Sequence, residues 1–323
     1  MQLIDIQYFK EITTSLKSTV MHDLKRIYKK VRKHVRLSLK HYLVEGQNLR
    51  YYPNPPKMSD VDIISLSIAA ESLGIDSENL LWSKLQTDYV SLFPNLIHRT
   101  RYNWRKKRLS NWIIKCAELW RAKVPLQSEI CIIDSMPIPV CKISREKQSR
   151  VCRQERNHKK AKKGYSAVNK QYYIGYKFHL IVCESGVYQH HEIRPANEHD
   201  IAFLKDLDKT HLIDTRLIGD RAYRSEPLQT ELFDWAKIKL DVPFRRNQYD
   251  YKPYPKRLQI KRKKIETVFS QYCDDLNMKR NYAKTYDGLA TRINSKIAAM
   301  TFKQYWNFMN NKSISKTKHY LAA

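Results

Sequence analysis

An α/β fold, a mixed sheet flanked by helices and preceded by an all-helical region, is what this chain of 323 residues predicts. Three observations lead there. Up to about residue 125 the apolar residues recur at helical spacing and no β-rich run interrupts them. After Pro125 the texture changes to short, β-rich apolar runs. Those runs then alternate with helical segments, which is the pattern of a sheet with helices packed on its faces.

Taken in order, Phe9, Ile12, Leu16, Val20, Leu24, Ile27, Val31 and Val35 recur every three or four residues and form an amphipathic stripe. The opposite face carries Lys25, Arg26, Lys29, Lys30, Arg32, Lys33 and Arg36. That face is either solvated or a phosphate-contacting arm. The proline-rich stretch 51–57 breaks the chain. Ser59 or Asp60 then caps a helix to about Leu73, Gly74 turns the chain, and Ser77 caps a second helix to about Leu85. Helix, glycine turn, helix resembles a helix-turn-helix. In 97–109, Arg99, Arg101, Arg105, Lys106, Lys107 and Arg108 surround Tyr102 and Trp104. This segment is either a DNA-contacting helix or a basic solvated helix end. Ser110 caps a further helix.

The first strand is EICIIDS (129–135), bounded by Pro137 and Pro139. The run 171–185 is the second, Gly186 makes a turn, and 187–195 completes a hairpin. A helix capped by Asp200 or a neighbour follows, then the strand TRLIGD, a helix over 225–237 with Ser225 as cap, the strand KIKLDVPF, and a helix over 261–279. The apolar tail from about 289 to 310 is helical and expected to pack on the sheet. These readings divide the chain into 1–125 (helical, DNA-binding), 126–288 (catalytic) and 289–323 (helical tail). A basic insertion at 144–170 holds ten Lys or Arg against two acids. It is either a DNA-contacting loop or a flexible one.

Charge narrows the partners. Lys and Arg total 60 against 32 acids, a net charge of +28. A field of that sign draws polyanions, above all nucleic acids; a ribosome-like or membrane-surface protein is the plainer alternative. No apolar run approaches the roughly 20 residues that span a bilayer. The N-terminus shows no basic-then-apolar signal pattern, so a cytoplasmic, nucleoid-associated protein is expected. The six cysteines form no C-x-x-C pair, and the spacing of Cys141, Cys152 and His158 matches no standard zinc site.

Two apolar runs end on an aspartate, Asp134 and Asp220. Taken singly, such a residue is usually a turn or helix cap. The helix at 261–279 adds a third acid, Glu266, which borders the buried stripe Ile265, Phe269 and Tyr272. Glu266 is either a surface ion pair with nearby cations or a third carboxylate turned to the sheet. Three gathered carboxylates repel one another, and a hard divalent cation such as Mg²⁺ or Mn²⁺ relieves that repulsion.

The stretches IIDSMPIPVC (132–141), PANEHD (195–200), GDRAY (219–223) and R-x-x-I-E-x-x-F (Arg262 to Phe269) resemble the DDE-type transposases of bacterial insertion sequences, in particular the insertion-sequence nine-eight-two group. The resemblance covers about 125 to 285. It implies a ribonuclease-H-like fold, and it implies that Asp134, Asp220 and Glu266 form a catalytic, metal-binding triad that holds Mg²⁺ or Mn²⁺, two ions in all. It implies cleavage at the ends of a mobile element and joining of the freed 3′-hydroxyl to target DNA. Tyr223 matches the Asp-x-x-Tyr of related transposases and is expected near a phosphate or base at the cut. The lysine of the related insertion-sequence-four signature falls on Cys273.

The expected DNA contacts are Arg99, Arg101, Arg105, Lys106 and Arg108 in the helical region, and Lys159, Lys160, Lys162 and Lys163 in the basic insertion. Tyr223, Arg262 and Lys264 complete the set, the last two either as phosphate clamps or as a solvated basic face. The partner is double-stranded DNA, both terminal inverted repeats and target, and two ends call for a dimer on DNA. Two alternatives remain: a nuclease of the same fold that cuts without joining, and an inactive DNA-binding remnant.

Overall fold

A computed structural model of the chain describes residues 24–126, 128–209, 212–244, 247, 249 and 251–318. The part of the N-terminal stripe from Phe9 to Val20 lies outside the described residues. Its continuation is helix α1 (Leu24–Leu39), which buries Leu24, Ile27, Val31, Val35 and Leu39.

Helix α2 (Asp60–Ser72) begins at a capping box. The Ser59 hydroxyl accepts the Asp62 amide, and the Asp62 carboxylate accepts the Ser59 amide. Apart from Asp60, Asp62 and Glu71, which find hydrogen-bond partners, its residues are apolar or small on every side, and the helix is enclosed almost completely. Gly74 turns the chain at φ 66°, and α3 (Glu78–Thr87) is capped by Ser77. Helices α4 (Arg99–Arg108) and α5 (Ser110–Arg121) follow with one residue between them.

Among the described residues the sheet has six strands: β1 (Ile130–Cys141), β2 (Lys162–Ser166), β3 (Gln171–Cys183), β4 (Tyr188–Pro195), β5 (Arg216–Ile218) and β6 (Lys239–Asp241). One edge of β3 pairs antiparallel with β1. Its other edge is shared end to end, β2 on residues 171–175 and β4 on residues 176–182. Beyond β1, β5 and β6 continue the sheet in parallel. This curled mixed sheet is consistent with the ribonuclease-H-like expectation. Helix α6 (Glu226–Ala236) joins β5 to β6, and α7 (Lys256–Asp274) packs on β1.

Four expectations are corrected here. Pro137 and Pro139 do not end the first strand; β1 runs through both, paired with Lys177 and Gly175 of β3. The parallel partner β5 reaches only Ile132. Two prolines of like parity turn their donor-less nitrogens to the same edge, and past Ile132 that edge has no strand to bond among the described residues. Gly175 permits the close crossing, because a Cβ there would fall on the Ile138 carbonyl oxygen. Second, part of the basic insertion is strand β2 rather than loop. Third, Asp200–Lys209 is a 3₁₀ helix.

The fourth concerns the tail. Helix α8 (Tyr286–Met309) packs chiefly against α5 and α2 and touches the sheet along β4, where Asn294 Oδ1 meets His191 Nε2. Its buried face carries charge as well as carbon. Arg292 Nε and Lys296 Nζ donate to the Glu71 carboxylate of α2 at 3.1 and 2.5 Å. Burial alone would raise the Glu71 carboxyl, but Lys296 and Arg292 overcome it and hold it below its ordinary value. The Ser67 and Ser295 hydroxyls meet at 2.7 Å in the same seam. These polar groups fit a helix that supplies a carboxylate and a hydroxyl, which an apolar sheet face does not.

Candidate active site

Asp134 stands inside β1, opposite Leu180 of β3 and just past the point where β5 stops. It is thus in mid-strand rather than at a strand end. Asp220 follows β5 after one intervening residue. Gly219 between them packs so tightly that a Cβ would lie 3.0 Å from Ile133 Cγ2 of β1. The missing side chain lets the Asp220 turn sit against β1. Asp220 Oδ1 accepts the Ala222 amide at 2.8 Å, capping the short turn Arg221–Tyr223. The cap reading and the site reading therefore hold for the same residue.

The two aspartates stand in a poorly solvated spot. Burial, with the charges of Asp220 and Asp200 adding to it, pushes the Asp134 carboxyl up to about 7. The Ser135 amide at 2.7 Å and the Arg262 guanidinium oppose that rise. Burial also raises Asp220, with Asp200 again adding.

Glu266 lies on α7 one turn after Arg262. Its side chain is 60% exposed. The Arg262 guanidinium stands between the acids, 4.0 Å from Asp134 Oδ2 and 4.0 Å from Glu266 Oε1. The structure thus brings Asp134 and Asp220 together and holds Glu266 across a guanidinium from Asp134. Among the described residues, no three His, Cys, Asp or Glu side chains form a ready cage for an ion. The donor set nevertheless suits a hard cation. It is all oxygen, and burial, with the neighbouring acids adding to it, raises both the Asp134 and the Asp220 carboxyls above their ordinary values.

The sequence offers Asp200 as a helix cap and as the last residue of PANEHD. Its Oδ1 instead takes the Lys177 ammonium at 2.9 Å and lies 3.4 Å from the Ser135 hydroxyl. It is the acid whose charge bears on both aspartates. The signal was present in PANEHD, but nothing local distinguishes a cap from a site acid. Tyr223 is fully buried, and its hydroxyl meets His179 Nδ1 at 3.1 Å. Burial holds His179 neutral, its pKa lowered to about 3. A Tyr223 hydroxyl donating to Nδ1 leaves the ring proton on Nε2, which faces Asp200 Oδ1 at 3.9 Å. Tyr223 is therefore a prop beneath the Asp220 turn and does not reach the surface where DNA would lie.

The basic residues separate into two groups. Arg105 and Lys106 are buried, against the expectation that they meet DNA. Arg105 donates to Asp60 at 2.6 Å and to the Met58 carbonyl, and Lys106 donates to Glu78 at 2.7 Å. On a ten-residue helix with cations nearly all round, the ones facing the core must find acids there. Arg101 and Arg108 stay exposed beside Trp104, and Arg99 is half-buried. Lys159 pairs with Asp287 at 3.0 Å, and Lys264 donates to the Ser315 hydroxyl at 3.2 Å. Lys160 and Lys162 are half-buried, and Lys163 is exposed over the Tyr172 ring.

The buried Asp134 carboxyl gives a stability prediction. Between about pH 4 and pH 7 the folded state holds a proton on Asp134 that the unfolded chain has released, so stability falls as pH rises through that window. Without divalent ions, Asp134→Asn should exceed the wild type in stability near pH 8 by up to a few kcal/mol, and match it near pH 4. Mg²⁺ should raise the melting temperature of the wild type and not that of the variant. Thermal melts at both pH values, with and without Mg²⁺, check both statements.

No helix among the described residues is long and apolar enough to cross a membrane. No curated protein and no solved structure matches the chain. Residues 125–282, which hold Asp134, Asp220 and Glu266, match the family model described as a transposase DDE domain. That match, on a sheet of this topology, supports a DDE-type transposase.

Proposed function

We propose that the chain is an insertion-sequence transposase that cuts DNA at the ends of its element and joins the freed 3′-hydroxyl to target DNA. The observation that supports this best is the pair Asp134 and Asp220, drawn together at one place on the sheet inside the matched segment. Glu266 completes the set from α7, one guanidinium away.

Asp134, Asp220 and Glu266 would hold Mg²⁺ or Mn²⁺. When bound there, two such ions supply an activated water or 3′-hydroxyl and stabilise the leaving oxygen of a phosphodiester. The chain's own residues do the rest. Gly219 and the Tyr223–His179 contact hold the Asp220 turn against β1. Lys177 holds Asp200 beside Ser135, next to Asp134. Arg262 supplies positive charge between Asp134 and Glu266 and is placed to meet a phosphate once the acids are otherwise neutralised. Lys160, Lys162, Lys163 and Lys264, with Arg101 and Arg108 on α4, contact the DNA backbone, so affinity falls steeply with salt. Two ends require two active sites, hence a dimer on DNA.

The test is a joining assay. Pre-cut ends of the flanking element, target DNA and Mg²⁺ should give joined product at mapped positions. A metal-dependent nick without joined product would favour the nuclease reading instead.

A further inference from the structure

The helical region carries a cleft of its own, of about 120 Å³. Arg50, Tyr52, Trp104, Arg105, Arg108 and Trp112 line it. A cavity of about 150 Å³ takes up benzene, so this space is on the scale of one planar ring. Trp104 is 42% exposed, a large ring left at the surface. The Arg101 and Arg108 guanidiniums lie 4.9 and 4.7 Å from its centroid, and Arg50 lies 4.6 Å from that of Tyr52. Helix α4 puts Arg101, Trp104 and Arg108 on one face, three and four residues apart.

The Asp60 carboxylate on the cleft wall is taken up by Arg105, which also donates to the Met58 carbonyl. The cleft therefore suits a ligand that is flat and aromatic and carries negative charge alongside. An unpaired nucleobase with its flanking phosphates has both properties. Paired bases hide their faces in the stack and do not present them.

We propose that this cleft binds an unpaired base of single-stranded DNA, stacked on Trp104, with Arg50, Arg101 and Arg108 taking the neighbouring phosphates. The site rests on the DNA-acting reading above but needs no cleavage to be observed, so the two can fail separately.

Fluorescence anisotropy with a short oligothymidylate and with a blunt duplex, on the full chain, tests it. Trp104→Ala should weaken oligothymidylate binding roughly tenfold or more and leave the duplex unchanged, and Trp104→Phe should restore most of the loss. Oligothymidylate should also quench indole emission in the wild type, and Trp104→Phe should lose that quenching. Wild-type affinity in Trp104→Ala, equal weakening for oligonucleotide and duplex, or quenching retained in Trp104→Phe would each overturn the proposal.

Discussion

Asp220→Asn is expected to lower single-turnover DNA cleavage by roughly a thousandfold or more while duplex affinity stays at the wild-type level. Asparagine keeps the side-chain oxygen that accepts the Ala222 amide, so the Arg221–Tyr223 turn survives. What disappears is one negative charge at the place where two acids already crowd each other. Against a net charge of +28, its loss barely alters the field that attracts DNA. Gel-shift titration beside quenched-flow cleavage separates binding from chemistry. Unaltered cleavage would remove Asp220 from the site.

Glu71→Ala is the largest stability effect expected away from the site, a loss of about 3–5 kcal/mol. Glu71 faces Arg292 and Lys296, whose side chains are 6% and 0% exposed. Alanine strands two cations in the seam between α2 and α8. Removing the cations together with the acid, by well-packed apolar residues of like volume, should recover much of the loss. The pH dependence follows from the depressed Glu71 carboxyl. Its contribution is present above the ordinary carboxylate range and is lost as pH falls through the lower, folded-state value. Denaturant melts of the wild type and variants measure the difference. A Glu71→Ala loss below about 1 kcal/mol would mean the triad is solvated rather than sealed.

Much of the architecture was legible because it depends on local pattern. The β-rich runs, the Gly186 turn and the helix start at Ser77 all read directly from residue type and spacing. The order of acids along the chain, Asp134, Asp220 and Glu266, was equally visible. What escaped depends on contacts remote in sequence. Pro137 and Pro139 look like strand terminators until it is known that β5 leaves their edge open. Arg105 and Lys106 look like DNA contacts until Asp60 and Glu78 are seen to claim them. The apolar stripe of α8 does not say which surface it meets, because its partner Glu71 lies 221 positions from Arg292. Asp200 is the instructive case. A short acidic residue ahead of a helix is a cap by every local rule, and only the Lys177 ammonium and the Ser135 hydroxyl across the sheet show otherwise.

Glu266 is where the proposed chemistry is most exposed to test, since Arg262 stands between it and Asp134. The decisive measurement is single-turnover cleavage of an element end by Glu266→Gln in Mg²⁺. Loss as deep as that of Asp220→Asn, with duplex binding intact, is the result expected of an acid that works with the two aspartates as one unit. Cleavage at the wild-type rate would mean that this glutamate is a surface charge and that the site is built from other residues.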